Sequence, residues 1–369
     1  MKKSAQIHKA LTIFAYTVML TGMTLLLAVV FRYPQNHLIP RQMIPGVGIC
    51  VIVLLAAGAL WNKIYFLIGK RTPLYLLALA IFGVLLYITA LSRQGNENTL
   101  VDYTYVYRDA MNLATGGTLE YTDYFVTYSN NLKPMLLLSV WFRVAVLLGI
   151  SPFHFVLLRN VLLVLLVVWA CGYLTEQKGD CRWRFPILLT FAFLLPLWDM
   201  VSVFYTDSMS FGLGILTLAL LKKAGSTKTN KGKILWSVLA GVTTILAIIW
   251  KITAIIPLIA GAMILLWQRE KADRRVLMQY AAAAIVFGVG LQLWANTYDV
   301  TRKAAVTANP VISWVALGMK EDGSWTNNTE LVEQMYQFST KEEKQQYCVE
   351  YIRENKFFQC GASEKKGKL

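Results

Sequence analysis

Long apolar runs separated by short polar connections set the pattern of this chain, and the first run covers residues 10–31. A run of about 18 or more apolar residues can cross a bilayer core of about 30 Å as a helix. Helix is favoured because lipid offers no hydrogen-bond partners to unpaired backbone groups. The pattern therefore predicts an all-α fold, a polytopic transmembrane helix bundle of about ten spans, whose outward loop carries short interfacial helices. The remaining runs are 45–61, 73–92, 133–150, 153–174, 185–204, 205–222, 234–250, 252–267 and 275–295.

Composition agrees with this pattern, since 56% of the 369 residues are apolar and only 15% are charged. Soluble domains carry about 25% charged residues. The net charge of +15 is explained by lysine and arginine collecting in cytoplasmic loops, here 62–72, 222–233 and 268–275. The charge gives no reason to expect a nucleic-acid partner, because no soluble basic module with interleaved aromatic residues is present. We expect a multi-pass protein of the cell membrane with a cytoplasmic N-terminus.

One inconsistency in the topology concerns the segment between Arg71 and Arg182. Three apolar runs separate these basic positions, although both should lie on the cytoplasmic side. We therefore expect an interfacial or re-entrant helix between residues 93 and 184. Two polar stretches, 93–133 and 301–369, should face outward. The expected domains are a membrane module over 1–295, with its external loop at 93–133, and an outward C-terminal segment over 296–369.

The external loop carries the first candidate for chemistry, Asp102, which lies about ten residues beyond an apolar run. A carboxylate at the outer membrane surface could act as a general base on an acceptor hydroxyl, or could hold a divalent cation against a phosphate. Asp109 shares its helix face if the segment is helical. The alternative is a solvated, tyrosine-rich loop without chemistry. The five cysteines form no CxxC pair, and three histidines give no metal spacing.

Charged residues inside or beside apolar runs are further candidates, because an ionisable group at membrane depth is costly and is commonly functional. Asp207 lies at a turn between two runs, where it could also simply cap a helix. Lys251 interrupts apolar sequence and could hold a phosphate or extend to the interface. Arg143 and Arg159 present the same alternatives, and arginine suits bidentate phosphate contact.

Several short motifs occur in an order that resembles bacterial multi-spanning glycosyltransferases of the GT-C superfamily. The similar group contains the protein O-mannosyltransferases and the lipid A aminoarabinose transferase. The resemblance covers roughly residues 95–325. Ser129 and Tyr103 depart from it, since proline and Gln or Glu are expected there. The matching positions are Asp102, Tyr124-Phe125, Tyr128-Ser129-Asn130-Asn131, Tyr205-Thr206-Asp207, Lys251, Thr253, Ala254, Trp314, Gly318, Met319 and Gly323.

The resemblance implies transfer of a sugar from a polyprenyl-phosphate carrier to an envelope acceptor, which could be a glycan, a lipid or a protein. It implies that Asp102 is the catalytic base. A divalent cation stays open. The C-terminal residues beyond Phe358 depart from the family and resemble a truncated end. The candidate substrate-binding residues are Tyr124, Tyr128, Asn130, Asn131, Asp207, Lys251 and Arg159.

Two other functions remain compatible with the sequence. A transporter or flippase of a lipid-linked sugar would also use intramembrane charges and aromatic-lined cavities. The lack of an internal repeat disfavours it. A non-catalytic subunit of an envelope-assembly complex would tolerate substitution of Asp102 and Asp207. The acidic outer loop favours the enzyme, since it places a base where an acceptor would lie.

Overall fold

The computed structural model describes residues 72–92, 101–176, 180–261, 274–319 and 329–354. All of these residues belong to one compact unit, Arg71–Leu369. The predicted spans 10–31 and 45–61, the N-terminus and most of the loop 62–72 lie outside the described residues. So do Gly323, most of the loop 268–275 and the C-terminal end at 355–369.

Helices are the regular elements of the described residues. One 3-10 turn, Ser129–Asn131, leads into α4, and another, Ile252–Ile255, begins the apolar helical stretch Ile252–Gly261. The α-helices are α1 (Thr72–Leu91), α2 (Val101–Ala114), α3 (Thr122–Thr127), α4 (Leu132–Leu147), α5 (Pro152–Thr175), α6 (Arg184–Ala192), α7 (Leu195–Met200), α8 (Thr206–Ser210), α9 (Leu213–Ser226), α10 (Asn230–Trp250), α11 (Arg274–Ala295), α12 (Asp299–Thr307), α13 (Ile312–Leu317), α14 (Thr329–Tyr336) and α15 (Lys341–Glu354).

Four of the described helices, α1, α5, α10 and α11, are long and apolar enough to cross a membrane. Their apolar side chains are not all covered by protein. On α11, for example, Met278 and Val286 are 71% and 72% exposed. Lipid is the natural neighbour of such a surface, since a helix that is apolar all round is buried either in a core or in a membrane. The all-helical membrane fold is confirmed, whereas a count of about ten spans is not.

Side-chain contacts define one end of this bundle around Asp102, which we call the Asp102 end. The Tyr205 hydroxyl lies 3.3 Å from Asp102 Oδ2. The neighbouring Phe204 ring packs against Phe153 at the start of α5, with 5.2 Å between centroids. Lys251, directly after α10, pairs with the α8 carboxylate two residues beyond Tyr205. The start of α5 and the close of α10 therefore lie at the Asp102 end.

The opposite end is defined by Lys222, and we call it the Lys222 end. The Lys222 ammonium donates to the carbonyl oxygens of Tyr173, Leu174 and Glu176 at 2.8, 3.1 and 2.9 Å. The Tyr173 and Leu174 carbonyls belong to the last turn of α5, and the Tyr173 oxygen also accepts the Glu176 backbone N–H at 3.3 Å. Arg184, at the start of α6, donates to Glu176 at 2.8 Å. The C-terminus of α9 and the start of α6 thus meet the C-terminus of α5.

The helix α4 does not run between these two ends. Its N-cap residue Asn131 contacts Tyr205, whereas its C-terminus leads directly into the start of α5. In between, Phe142 packs on Tyr107 of α2 with ring centroids 5.0 Å apart. At 16 residues, α4 is also shorter than the four spanning candidates. A span at 133–150 is therefore not confirmed, and the position of α4 fits the extra segment that the inconsistent topology requires.

The run 185–204, predicted as a single helix, is broken between α6 and α7. Pro196 has no N–H for the Ala192 carbonyl four residues earlier, and its ring disfavours a continuous helix. The Trp198 indole N–H donates to the Ala192 carbonyl instead, with Nε1 3.0 Å from the oxygen. The two short helices together carry the chain from the Lys222 end to Phe204.

The run 205–222 is likewise divided, between α8 and α9. Gly212 has a φ of 61°, a left-handed conformation that favours glycine. A Cβ atom at this position would lie 2.4 Å from Val167 Cγ1, so glycine also allows α9 to approach α5. The predicted span 252–267 is described only as far as Gly261, where it is helical.

The described part of the C-terminal segment 296–369 forms a small apolar cluster of its own. Leu317 of α13, Met335 of α14 and Cys348 of α15 are buried in it. Lys344 of α15 is buried as well and donates to the Thr307 carbonyl of α12 at 2.7 Å. These contacts join α12 to α15 within the part of the chain that the structure describes.

Candidate functional site

The described part of the loop 93–133 is organised by Asp109, a buried carboxylate in α2. Asp109 accepts hydrogen bonds from the backbone N–H groups of Glu120 and Tyr121, both at 2.9 Å. Burial is the largest influence on the carboxyl group and raises its pKa, although these hydrogen bonds act in the opposite direction. Asp109 thereby fixes the start of α3 against α2, so its role is structural.

Asp102, about two helical turns earlier in α2, is exposed and accepts two tyrosine hydroxyls. Tyr124 donates to Oδ1 at 2.9 Å and Tyr205 to Oδ2 at 3.3 Å. The pKa of Tyr124 is raised, by burial above all and then by Tyr205 and Asp102, and the pKa of Tyr205 is raised by burial and then by Asp102. Both phenols therefore remain protonated donors, and they orient the carboxylate while leaving it open to solvent.

Asn131 completes this group. Its Nδ2 donates to the Tyr124 hydroxyl at 2.6 Å, and its Oδ1 lies 3.3 Å from the Tyr205 hydroxyl. Asn130 is exposed and donates through Nδ2 to Asn131 Oδ1 at 3.1 Å. Four of the residues singled out from the sequence motifs, Asp102, Tyr124, Asn131 and Tyr205, thus form one hydrogen-bonded cluster.

Tyr128 extends the cluster toward the outward segment. Its ring packs on Tyr124 with centroids 5.1 Å apart, and its hydroxyl lies 3.0 Å from that of Tyr336 in α14. Burial raises the pKa of Tyr128, with the Tyr336 contact adding to the effect. Tyr336 was not predicted from the sequence, because a single tyrosine in a polar segment gives no signal.

Asp207 and Lys251 form an ion pair close to this cluster. Asp207 is two residues beyond Tyr205, so the turn between α7 and α8 carries both contacts. The two side chains are 59% and 40% exposed, respectively. Lys251 is therefore neutralised by Asp207 here, which the sequence did not predict.

A cavity of about 580 Å³ begins at this ion pair. Its walls are mostly apolar, and they come from the broken segments of the bundle: α6 with α7, the turn between α8 and α9, and the stretch after α10. Such a cavity suits an apolar chain whose polar end lies at the ion pair. Asp207 and Lys251 lie at its polar margin, and the apolar lining includes Val167, Phe191, Leu194, Pro196, Leu197, Met200, Phe211, Ile215, Ala254 and Pro257.

Arg159 lies on the other side of α8 and is partly buried. It donates to Asn160 Oδ1 at 2.9 Å, and to Met209 Sδ and O at 3.2 and 3.3 Å. Its guanidinium also lies over the Trp141 ring, 5.9 Å from the centroid. No carboxylate pairs with Arg159 among the described residues. A cation at this depth without a counter-charge is favourable for an anionic ligand.

The described residues contain no group of three His, Cys, Asp or Glu side chains able to hold a metal ion. Asp102 and Asp207 are brought to the same end of the bundle, but they are joined through Tyr205. A divalent cation would thus find fewer than three such ligands at any one place in the described part of the chain.

Comparison with known proteins gives a family. The sequence model of a family described as "Conserved hypothetical integral membrane protein" matches residues 6–361. No curated protein and no solved structure matches the chain. The match covers nearly the whole sequence and agrees with the apolar helices described above. The chain therefore belongs to this family of integral membrane proteins.

Proposed function

We propose that this protein transfers a sugar from a polyprenyl-phosphate carrier to an acceptor at the outer face of the cell membrane. The proposal rests on one observation: Tyr205 joins Asp102 to the segment that carries Asp207, so the exposed carboxylate and the Asp207–Lys251 pair lie at the same end of the bundle. A base, a cation and an apolar cavity at one end of a bundle are the parts that this reaction needs.

The apolar cavity supports the lipid part of the donor. Its volume of about 580 Å³ accepts several isoprene units of a longer tail, the rest of which would extend into the bilayer. Lys251 at the margin would hold the phosphate as a point charge. Arg159 would add to the positive potential, although it is separated from the cavity margin by α8.

The reaction has one proton transfer and one displacement. Asp102 takes the proton of the acceptor hydroxyl, and that oxygen attacks the anomeric carbon of the sugar. The bond between this carbon and the phosphate oxygen breaks, and the oxygen leaves with the electron pair as polyprenyl phosphate. Positive charge at Lys251 stabilises the developing phosphate charge. The proton on Asp102 passes to solvent or to the phosphate and restores the base.

The orientation follows from charge. The Lys222 end carries the lysine-rich connection 222–233, so we propose that it faces the cytoplasm and that the Asp102 end faces outward. With α4 at the outer interface, Arg71 and Arg182 fall on the cytoplasmic side, as their charge requires. Together with the N-terminal runs, this arrangement gives a multi-pass bundle close to the predicted span number, with a cytoplasmic N-terminus.

The test uses the full chain in lipid nanodiscs with polyprenyl-phosphate hexoses as donors and measures release of polyprenyl phosphate. Asp102→Asn should lower the rate by about 100- to 10,000-fold, the usual contribution of a general base. Asp123→Asn, at an exposed carboxylate of the same loop, is the matched control and should change the rate less than about threefold.

Each alternative gives a different result. Movement of the lipid-linked sugar across the bilayer without its cleavage would favour a flippase. Neither cleavage nor movement, with Asp102→Asn indistinguishable from the unchanged chain, would favour a non-catalytic subunit. Release of carrier that does not depend on Asp102 would remove this residue as the base.

A further inference from the structure

The ion pair between Lys251 and Asp207 lies where a lipid phosphate would bind. Both side chains are substantially exposed, 40% and 59%, at the margin of the apolar cavity. An exposed pair of this kind contributes little to stability. It can therefore open at little cost when another anion reaches the ammonium.

The charges around α8 favour an anion over a cation as that ligand. Lys251 contacts the helix from one side, and Arg159 contacts Met209 of the same helix from the other. Among the described residues, Asp207 is the carboxylate that pairs with Lys251, and no carboxylate pairs with Arg159, so one positive charge is left without a counter-charge. A ligand with an apolar chain and a single anionic head would supply the missing negative charge.

We infer that Asp207 is a placeholder for the lipid phosphate. When no lipid is bound, Asp207 pairs with Lys251, and when lipid is present, Asp207 and the phosphate compete for the Lys251 ammonium. When the phosphate binds, Lys251 exchanges the carboxylate for the phosphate, and Asp207 turns to solvent. The identity of the lipid rests on the proposed function, but the exchange itself rests on the ion pair and the cavity. Asp207 is thus a positioning residue, which acts through Lys251.

This competition has a use in the transfer reaction. The donor is a phosphodiester with one negative charge, whereas the product is a phosphate monoester whose charge at pH 7 is about −1.5 to −2. The product therefore binds a cation more tightly than the donor does. When the Asp207 carboxylate pairs with Lys251 again, it competes with the product phosphate for the ammonium and so speeds release of the product.

The experiment measures binding of farnesyl phosphate to the full chain in nanodiscs, with farnesol and inorganic phosphate as matched probes. Asp207→Asn frees Lys251 and should tighten farnesyl phosphate binding by about 2- to 5-fold, the value of an exposed pair. Lys251→Gln should weaken it by about tenfold or more, since a charge-assisted contact is lost. Farnesol binding should not respond to Asp207→Asn, and inorganic phosphate should bind more weakly than farnesyl phosphate because it cannot use the cavity.

The double variant gives the decisive comparison. In the Lys251→Gln background, Asp207→Asn should not change farnesyl phosphate affinity further, because the ammonium for which Asp207 and the phosphate compete is gone. Weaker farnesyl phosphate binding in Asp207→Asn, or the same tightening without Lys251, overturns the inference. Unchanged thermal unfolding of each variant excludes a folding defect as the cause.

The two proposals fail separately. If the affinities follow this pattern but no carrier is released from any donor, the sugar transfer is wrong and the lipid phosphate site stands. If release depends on Asp102 while Asp207→Asn loosens the lipid, the transfer stands and the placeholder role is wrong.

Discussion

The Tyr205 hydroxyl lies 3.3 Å from Asp102 Oδ2, although 103 positions separate the two residues in the chain. The same hydroxyl lies 3.3 Å from Asn131 Oδ1 at the start of α4. One phenol thus joins the external loop, the entry to α4 and the turn before α8. This arrangement holds the start of α4 at the Asp102 end. The C-terminus of α4 lies there as well, because it leads directly into the start of α5.

Thiol labelling can test the position of α4. In a chain whose native cysteines are replaced by alanine, we expect Thr118→Cys and Ile150→Cys to react with a membrane-impermeant maleimide added outside. Lys228→Cys should react only after the membrane is permeabilised. All three positions are exposed. If α4 crossed the bilayer, Thr118 and Ile150 would be labelled from opposite sides.

Gly212 gives a prediction on packing, because Gly149 offers a matched control. Both have positive φ, 61° and 65°, but an added Cβ at Gly149 meets nothing within 4 Å, whereas at Gly212 it would lie 2.4 Å from Val167 Cγ1. Alanine at either position costs about 1–2 kcal/mol of backbone strain. Gly212→Ala should cost about 1–3 kcal/mol more through overpacking. Equal losses of unfolding free energy in Gly212→Ala and Gly149→Ala would show that α9 can move away from α5.

The sequence predicts the four long apolar helices to within a few residues, because their runs carry few charges and approach the roughly 20 residues that a bilayer span needs. It does not show where α4 lies, since Leu132–Leu147 is as apolar as its neighbours, whereas the contacts of α4 with Tyr205 and Tyr107 bring it to one end of the bundle. The proline at 196 was visible, yet whether it kinks or divides a helix depends on the partner that the freed carbonyl finds, here Trp198.

The candidate site was predictable in part. Asp102, Tyr124 and Asn131 fall in one external loop, so their approach to one another follows from the local motifs. Their contact with Tyr205 depends on packing across the bundle and could not be predicted from the motifs. The Asp207–Lys251 pair could not be predicted, because each residue alone also fits a cap or an interfacial side chain.

Asp109 leads to a prediction on pH. Because burial raises its pKa above the usual 3.8, the folded chain holds this proton more tightly than the unfolded chain does. Its contribution to stability therefore falls as pH rises from about 3.8 through the raised value, and grows on acidification. Asp109→Asn removes this slope and misplaces an amide against a backbone N–H, at a cost of about 1–3 kcal/mol.

The measurement is thermal unfolding between pH 4 and 7, with Asp123→Asn as the exposed control. The gap in stability between the unchanged chain and Asp109→Asn should widen as the pH falls, whereas the control should run parallel to the unchanged chain. A gap that narrows on acidification would mean that the ionised carboxylate is the stabilised form.

The break between α6 and α7 allows a double-mutant test of how the Ala192 carbonyl is satisfied. Trp198→Phe removes the indole donor and should cost about 1–3 kcal/mol, because the carbonyl is left without its partner. Phenylalanine retains an aromatic ring against Phe82, which lies 5.7 Å from the Trp198 ring. Pro196→Ala supplies a backbone N–H for the same carbonyl, so it should recover much of that loss when the two changes are combined.

The same substitution links the break to ligand binding. A continuous helix would carry Leu194 and Leu197 away from the cavity that they now line with Pro196, so Pro196→Ala should weaken farnesyl phosphate and farnesol to the same degree. An equal effect on both ligands separates loss of the cavity from loss of the phosphate contact, which only the phosphate ligand would report. Strictly additive changes in unfolding free energy, together with unchanged binding of both ligands, would show that Pro196 neither frees the carbonyl for Trp198 nor shapes the cavity.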